Sequence, residues 1–599
     1  MKVADEKDDG TTTPRVGVGY QEPDVEYHEE NDDTLRRLWD NDPDIAGLDI
    51  PLARSHGASY DYYDYRVEVH DANRDRILGY AIGGSKHLRK LKITGRNGFR
   101  MAGATHKFLQ RVAENRSIEH LCLNEFSGKE KLFKFLVPFF EHNQNMRSIE
   151  ICGTELNNLP KFFSVIFRSE MIRIERISLS SCTNSSSNWI IRDLIRGLKC
   201  MPGLSYLSDL SLEGNQMGRT VSIELFSLLR NNATRLQIIQ LGGSNVGNDC
   251  INHITSGLQE STVKVLRLAH LRSTTPKGWK TFSAYLSNPS CSVETLDLSG
   301  NNIGDGGYVA LGNAMAKNKK LKLKSLNLNE CNSVSSTGWR GLSIGMRSLA
   351  IEELQVRGTG IDDDGAIAIV SSLNGQFLKS LNMGHSRITP RGWVQCFRLL
   401  EGCASSLKSL FLDCNRIDDE GADVLVRLAT KTLSLSKLSL WENRSITMER
   451  WCAFASLLHT SSSSKLNVLE LGATDHGAAV DDYVIAFAQA LTNNTSLEVL
   501  GLLGSIDENE DEYFEDEDLD FPDDEISMQG WNAIARTLCD NSSISSICSS
   551  NHTLYEMWRS DYKRYLDGDA FPCAIFIGYE SREEQGRSGP IKDPQILFH

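Results

Sequence analysis

No stretch of this chain is apolar for the ~18–20 residues that a bilayer-spanning helix requires, so no membrane segment is expected. The opening MKVADEKDDG is polar and lacks the apolar core of a secretory signal. Fourteen cysteines are present without a single Cys-x-x-Cys pair, which argues against a disulfide framework and against a zinc ribbon. The fourteen histidines show no metal-ligand spacing. Also missing are the Gly-x-x-x-x-Gly-Lys-Ser/Thr phosphate loop, His-Glu-x-x-His and the kinase signatures. These absences leave no catalytic constellation, no cofactor and no metal to propose. Reduced thiols and a polar start predict a cytoplasmic protein, with the nucleus as the other compartment.

Charge is missing in places too. Residues 505–525 contain thirteen acidic side chains and no basic one, a net charge of −13. Residues 1–80 carry twenty acids against nine bases, a net −11. The whole chain of 599 residues carries −15, so the remainder is basic by about nine charges. A chain this acidic repels a phosphate backbone, and no nucleic-acid ligand is expected. The oligomeric state has no signature in the sequence.

What the chain does have is a repeat. Leu-x-x-Leu-x-Leu, with Ile, Val or Met substituting, recurs about every 28 residues in sixteen copies from Leu88 to Ile547. A further copy, Ile45-x-x-Leu48-x-Ile50, precedes them, and the sixteenth begins at Ile544. Within the copy that opens at Val293, Val293-Glu294-Thr295-Leu296-Asp297-Leu298 alternates apolar and polar residues, as a half-buried strand does. Asn301 stands at the ninth position, Asp305-Gly306-Gly307 turns into a helix, and Leu311 and Met315 share one helix face. One such unit cannot bury its apolar face alone. Stacked units bury a continuous core.

The ninth position holds Asn215, Asn301, Asn415 and Asn443; Cys182 and Cys331; or Thr154, Thr359, Ser386 and Thr474. With this residue in place, the pattern resembles the leucine-rich-repeat family, in its long ribonuclease-inhibitor-like class. The resemblance covers roughly residues 41–556. It implies an α/β solenoid of about 16–17 repeats, a curved horseshoe with a parallel β-sheet on the concave side and helices on the convex side. It also implies that the ninth side chains bond to turn backbone groups otherwise buried without partners.

The repeats alternate. One type enters its helix through Asp-x-Gly, as at Asp363–Gly365 and Asp419–Gly421; the other through a Ser/Thr cap and a tryptophan, as at Thr275 to Trp279 and Thr389 to Trp393. Thr275 and Thr389 can cap their helices, with proline tolerated at the next position. The tryptophans are expected in the core. Asp362, Asp364, Asp418 and Glu420 are expected as helix-start residues rather than catalytic carboxylates.

The predicted organisation is an acidic, disordered tail over 1–34, then an N-terminal cap with an irregular insertion over 35–86. The solenoid follows over 87–556, and a C-terminal cap and tail over 557–599, with residues 554–565 as a capping helix. Residues 505–525 are expected as a loop inserted between a strand and a helix. Asp507, Asn509 and Asp511 have the opening spacing of a calcium loop, but Glu512 stands where that loop needs glycine and Asp518 where it needs glutamate.

Two candidate partner-binding surfaces result. On the concave face, Phe411 at the fifth position and Trp441 at the seventh stand among small polar residues, flanked by Asp413, Glu442, His385 and Arg357; exposed aromatics amid charge are typical of binding hot spots. In the acidic loop, Tyr513 and Phe514 are interleaved with Asp511, Glu515 and Asp518, a pattern suited to a basic, partly apolar peptide. A weaker basic stripe comprises Lys90, Lys92, His120 and Arg176. The expected function is a non-catalytic scaffold, adaptor or inhibitor that holds a protein partner. The resemblance raises two alternatives: a GTPase-activating protein of the Ran-type class, although the acidic segment here is inserted within the repeats rather than appended, and a substrate receptor of a ubiquitin ligase, although residues 30–50 are too short for the helical module it needs.

Overall fold

A computed structural model gives the architecture. It describes residues 29–51, 72–94, 103–125, most of 136–154, 173–182, 189–200, 206–503 apart from short gaps, 528–538, 556–558 and 575–576. Seventeen short strands, from Gly47–Pro51 to Glu556–Trp558, pair in parallel, each with the next in sequence. An eighteenth, Ile575–Phe576, pairs antiparallel with the last of these. Helices alternate with the strands. Strands pack at ~4.8 Å and helices need about twice that, so the sheet lies on the inside of a curved stack. The core is one continuous file of buried side chains running from Leu38 to Ile534.

The copy at Ile45 is a true first strand, since Leu48 pairs with Leu91 and Ile50 with Ile93. The far end departs from the expected pattern. Val499–Leu503 pairs with Glu556–Trp558, with Met557 opposite Leu500, and the copy read at Ile544 lies outside the described residues. Residues 556–558 are therefore strand, which corrects the capping helix expected over 554–565 at those three positions; the rest of that span lies outside the described residues. Its apolar spacing fits both periods over so short a run. The N-terminal tail before Glu29, the insertion over 53–70, the acidic segment 505–525 and Thr474 lie outside the described residues.

Three sets of hydrogen bonds fasten neighbouring repeats together. The ninth-position ladder is the first. Asn301 Nδ2 donates to the carbonyls of Leu268 (2.8 Å) and Leu298 (2.7 Å), and its Oδ1 accepts from the Leu271 amide at 2.8 Å. Asn215, Asn415 and Asn443 repeat the pattern. Cys331 Sγ reaches the Leu298 carbonyl at 3.3 Å, and Cys182 Sγ the Ile151 carbonyl at 3.2 Å, which makes both ladder members. Burial pushes the Cys331 thiol up to about 11 and the Cys182 thiol to about 12, so both stay protonated.

The second set closes the helix ends. Asn115 Nδ2 donates to the carbonyls of Ile82 and Ser85, Asn318 Nδ2 to those of Leu286 and Asn288, and Asn494 Nδ2 to that of Leu458. In Asn115-x-x-Ile118 and Asn494-x-x-Leu497 the asparagine stands three residues before the first apolar position, a signal the strand pattern overlooks.

The third set explains the alternation. Asp363 accepts from both the amide and the hydroxyl of Thr389, each at 2.7 Å. Asp305 binds Ser335 in the same way, and Asp419 binds Thr447. Asn248 takes the acid's place against Thr275. The helix-start acid of one repeat thus holds the N-cap residue of the next. Thr389 also caps its own helix, accepting from the Gly392 amide, whereas the Thr275 hydroxyl is given to Asn248 instead. Gly392 is required by contact: a Cβ there would come within 2.2 Å of Asp363 Oδ1. Behind these caps Trp279, Trp339, Trp393 and Trp451 are all buried, with Ala366 and Ala422 at the small positions between them. Tyr308 breaks the large–small alternation and packs edge-on against Trp339 at 4.9 Å.

Asn301→Ala removes these bonds and leaves the Leu271 amide and the Leu268 carbonyl unpaired in the core, a loss of about 1–3 kcal/mol. Calorimetry should record a clear fall in melting temperature, while the exposed neighbour variant Asn302→Ala stays within about 0.5 kcal/mol of the parent. Equal melting of Asn301→Ala and parent would contradict a structural ladder.

Candidate functional site

The eighth position of each repeat shapes the edge of the concave face. From Glu125 to Glu442 this residue has a positive φ, between 51° at His385 and 67° at Gly214. The left-handed turn directs its amide at the carbonyl of the following repeat, as Glu330 N–H to Arg357 O and His385 N–H to Asp413 O, both at 2.8 Å. Glycine fills the position in several repeats, but His385, Cys414 and Glu442 hold this conformation as non-glycine residues. Each does so at a cost of order 1–3 kcal/mol.

In this region the repeats bring together most of the candidate residues. Phe411 ends the strand Ser409–Phe411, half-buried between Asn382 and Ser439. Arg357 crosses over Gly384, where a Cβ would stand 2.9 Å from its Nη1, and places Nη1 3.8 Å from Asp413 Oδ2. Asp413 Oδ1 accepts from the Trp441 amide at 3.1 Å and meets the Ser439 hydroxyl. Ser439 Oγ also lies 2.8 Å from Glu470 Oε2. A chain of polar groups thus runs Arg357–Asp413–Ser439–Glu470. The Trp441 indole lies against Gly472, where a Cβ would come within 2.6 Å of Cδ1, and is half-buried rather than free-standing. Gly472 itself takes the left-handed conformation one position early, which shifts the register of the strand Val468–Ala473 after Glu470. Glu442 accepts from Cys414 Sγ at 3.4 Å. His385 stands apart, with its side chain exposed.

The strand alternation and the ninth-position ladder dictate this placement, since fifth and seventh positions cannot turn inward. The sequence reading missed Ser439, Glu470, Gly384, Gly472 and Cys414. Ser439 and Glu470 hold the fifth position that Phe411 holds one and two repeats away, and the two glycines hold the seventh position of Asp413 and Trp441.

The electrostatics follow from burial. Burial first, then the neighbouring Glu470 charge, raise the Asp413 pKa, against the opposing effects of Ser439 and Arg357. Ser439 has one hydroxyl hydrogen and two carboxyl neighbours. Ser439 can therefore donate to Asp413 or to Glu470, one at a time. Burial, then the Glu442 charge, push the Cys414 thiol up to about 12, so it is no nucleophile at neutral pH.

The other candidates divide. The loop residues Asp511, Tyr513, Phe514, Glu515 and Asp518 lie outside the described residues, as do Asp507 and Asn509. In the basic stripe, Lys92 is buried with Asp49 at 3.7 Å, and Arg176 holds Asp209 at 3.1 Å, so two of its four cations are paired. Burial lowers the His120 pKa, with Arg176, Lys90 and Arg147 adding to the effect against Glu119. Among the described residues no three or more His, Cys, Asp or Glu side chains are placed to hold a metal ion. No described helix is long and apolar enough to cross a membrane.

An acid whose folded pKa is raised is protonated more readily in the folded chain. Its contribution to stability is present at low pH and is lost as pH rises from about 4, the unfolded value, through the raised folded value. Urea unfolding across pH 4–7 should therefore show the parent falling relative to Asp413→Asn as pH increases. A parent that gains on the variant with rising pH would mean that an ionised Asp413–Arg357 pair dominates instead.

Known proteins share this architecture. The leucine-rich-repeat profile matches residues 290–312, 351–370 and 403–426. The chain is 23% identical to human NACHT, LRR and PYD domains-containing protein 13 over 386 residues, 59% of this chain and 35% of that protein. It is 24% identical to the mouse NACHT, LRR and PYD domains-containing protein 5 over 328 residues, 53% of this chain and 27% of that one. The chain thus spans about a third or less of the curated relatives it matches. Among solved structures, the yeast Rad7 and Elc1 complex aligns at a TM-score of 0.35 and 17% identity, over 53% of this chain and 74% of that chain. With its sequential parallel sheet, its ninth-position ladder and this profile match, the chain is a leucine-rich-repeat protein.

Proposed function

We propose that this protein is a non-catalytic scaffold, adaptor or inhibitor that docks a protein partner on its concave face around Phe411 and Trp441. The observation that carries this reading is the chain Arg357–Asp413–Ser439–Glu470 beneath two half-buried aromatic rings. Rings fixed by packing lose little freedom on binding. With Glu442 beside Asp413 and Glu470, the surface is rich in carboxyls and favours a partner that presents a lysine or arginine. Such a cation can stack on the rings and pair with the Asp413 carboxylate. The protonated Cys414 thiol supports a binding surface rather than a reactive one. An intracellular location, where the free cysteines persist, belongs to the same proposal.

Pull-down from cell extract with the full chain tests this, comparing parent, a Phe411→Ala/Trp441→Ala double variant and a deletion of residues 505–525. Loss of a partner with the double variant alone, and tighter capture at pH 8 than at pH 5, are the expected results. Partner loss confined to the deletion would transfer the function to the acidic segment and overturn the concave reading.

A further inference from the structure

A second surface lies along the opposite edge of the sheet, where the strands begin. The second-position residues there form a ladder of alternating charge. Arg89 pairs with Glu119 at 3.4 Å, Glu119 with Arg147 at 3.2 Å, and Arg147 with Glu175 at 2.8 Å. Further along, Glu294 pairs with Lys324 at 3.1 Å, and Glu352 with Lys379. Between the two runs the alternation fails: the three residues in line are Ser208, Gln237 and Lys264.

At this break the surface opens into a shallow groove of roughly 550 Å³, with Tyr206, Arg235 and Lys264 in its lining beside Glu175. Tyr206 is exposed, with the Arg173 guanidinium 5.2 Å from its ring centroid. Arg235 and Lys264 are exposed and, among the described residues, form no ion pair, although most second-position charges on either side are matched. The ladder therefore lacks an acid where two cations and an aromatic ring converge.

We propose that this groove binds an acidic segment of a partner protein, its carboxylate between Arg235 and Lys264 and an adjoining apolar side chain on the Tyr206 ring. A polyphosphate does not fit the same surface, because Glu119 and Glu175 on one side and Glu294 on the other would repel a continuous run of negative charge. A single side-chain carboxylate meets only Glu175 there, whose charge Arg147 matches at 2.8 Å. The groove belongs to repeats far from Phe411 and is independent of the concave reading.

The test pans a random decapeptide display library against the full chain and against an Arg235→Glu/Lys264→Glu variant, with Arg235→Gln/Lys264→Gln as the milder control. Both positions are exposed, and matched thermal melts check that the variants fold. Peptides retained by the parent alone should carry Asp or Glu beside an aromatic or branched apolar residue. Their affinity should drop at least tenfold on charge reversal, less on neutralisation, and fall with added salt. The proposal is overturned if no peptide depends on Arg235 and Lys264, if those that do carry no acid, or if a twelve-residue oligoadenylate competes for the groove.

Discussion

The structure depends on one recurring turn. After each strand the backbone must leave the sheet, and its amides and carbonyls pass into the core where water cannot reach them. Two devices meet that demand together. The eighth residue turns left-handed and extends the interstrand ladder by one amide, and the ninth side chain bonds the carbonyls of its own and the preceding repeat. Because each turn bonds to its neighbours, no repeat can rotate independently, and the fifth and seventh positions stand in fixed rows. The binding surface inherits its rigidity from bonds that lie behind it.

The convex side is held in pairs rather than one repeat at a time. Asp363 to Thr389 and Asp419 to Thr447 link a repeat of one type to a repeat of the other. Space at such junctions comes from missing side chains: Gly392 admits Asp363, Gly384 lets Arg357 cross, and Gly472 receives the Trp441 indole. The concave cluster is thus an outcome of which side chains are absent from the repeats between its members as much as of those present.

Much of the fold could be read from the residues. The period located the strands of residues 88–503, because an inward leucine every second strand position has only one register that buries it. The ninth-position asparagines identified the turn. The last strand could not be read, since Glu556–Trp558 is three residues long and so short a run carries too little periodicity. The site was legible by position and not by chemistry. Phe411 and Trp441 are where the pattern puts them, but both are half-buried, and Asp413 is engaged by Ser439 and the Trp441 amide rather than open to solvent. Those contacts join residues about 26–31 positions apart, and only the stacking of consecutive repeats makes them neighbours.

The most direct test of a face held rigid from behind is hydrogen exchange followed by mass spectrometry on peptides spanning residues 297–303 and 411–417. The amides of these turns should exchange as slowly as those of the adjoining strands, because they are paired to neighbouring repeats. Exchange within seconds, at the rate of exposed loops, would mean that the turns are open in solution and that the concave surface is not pre-formed.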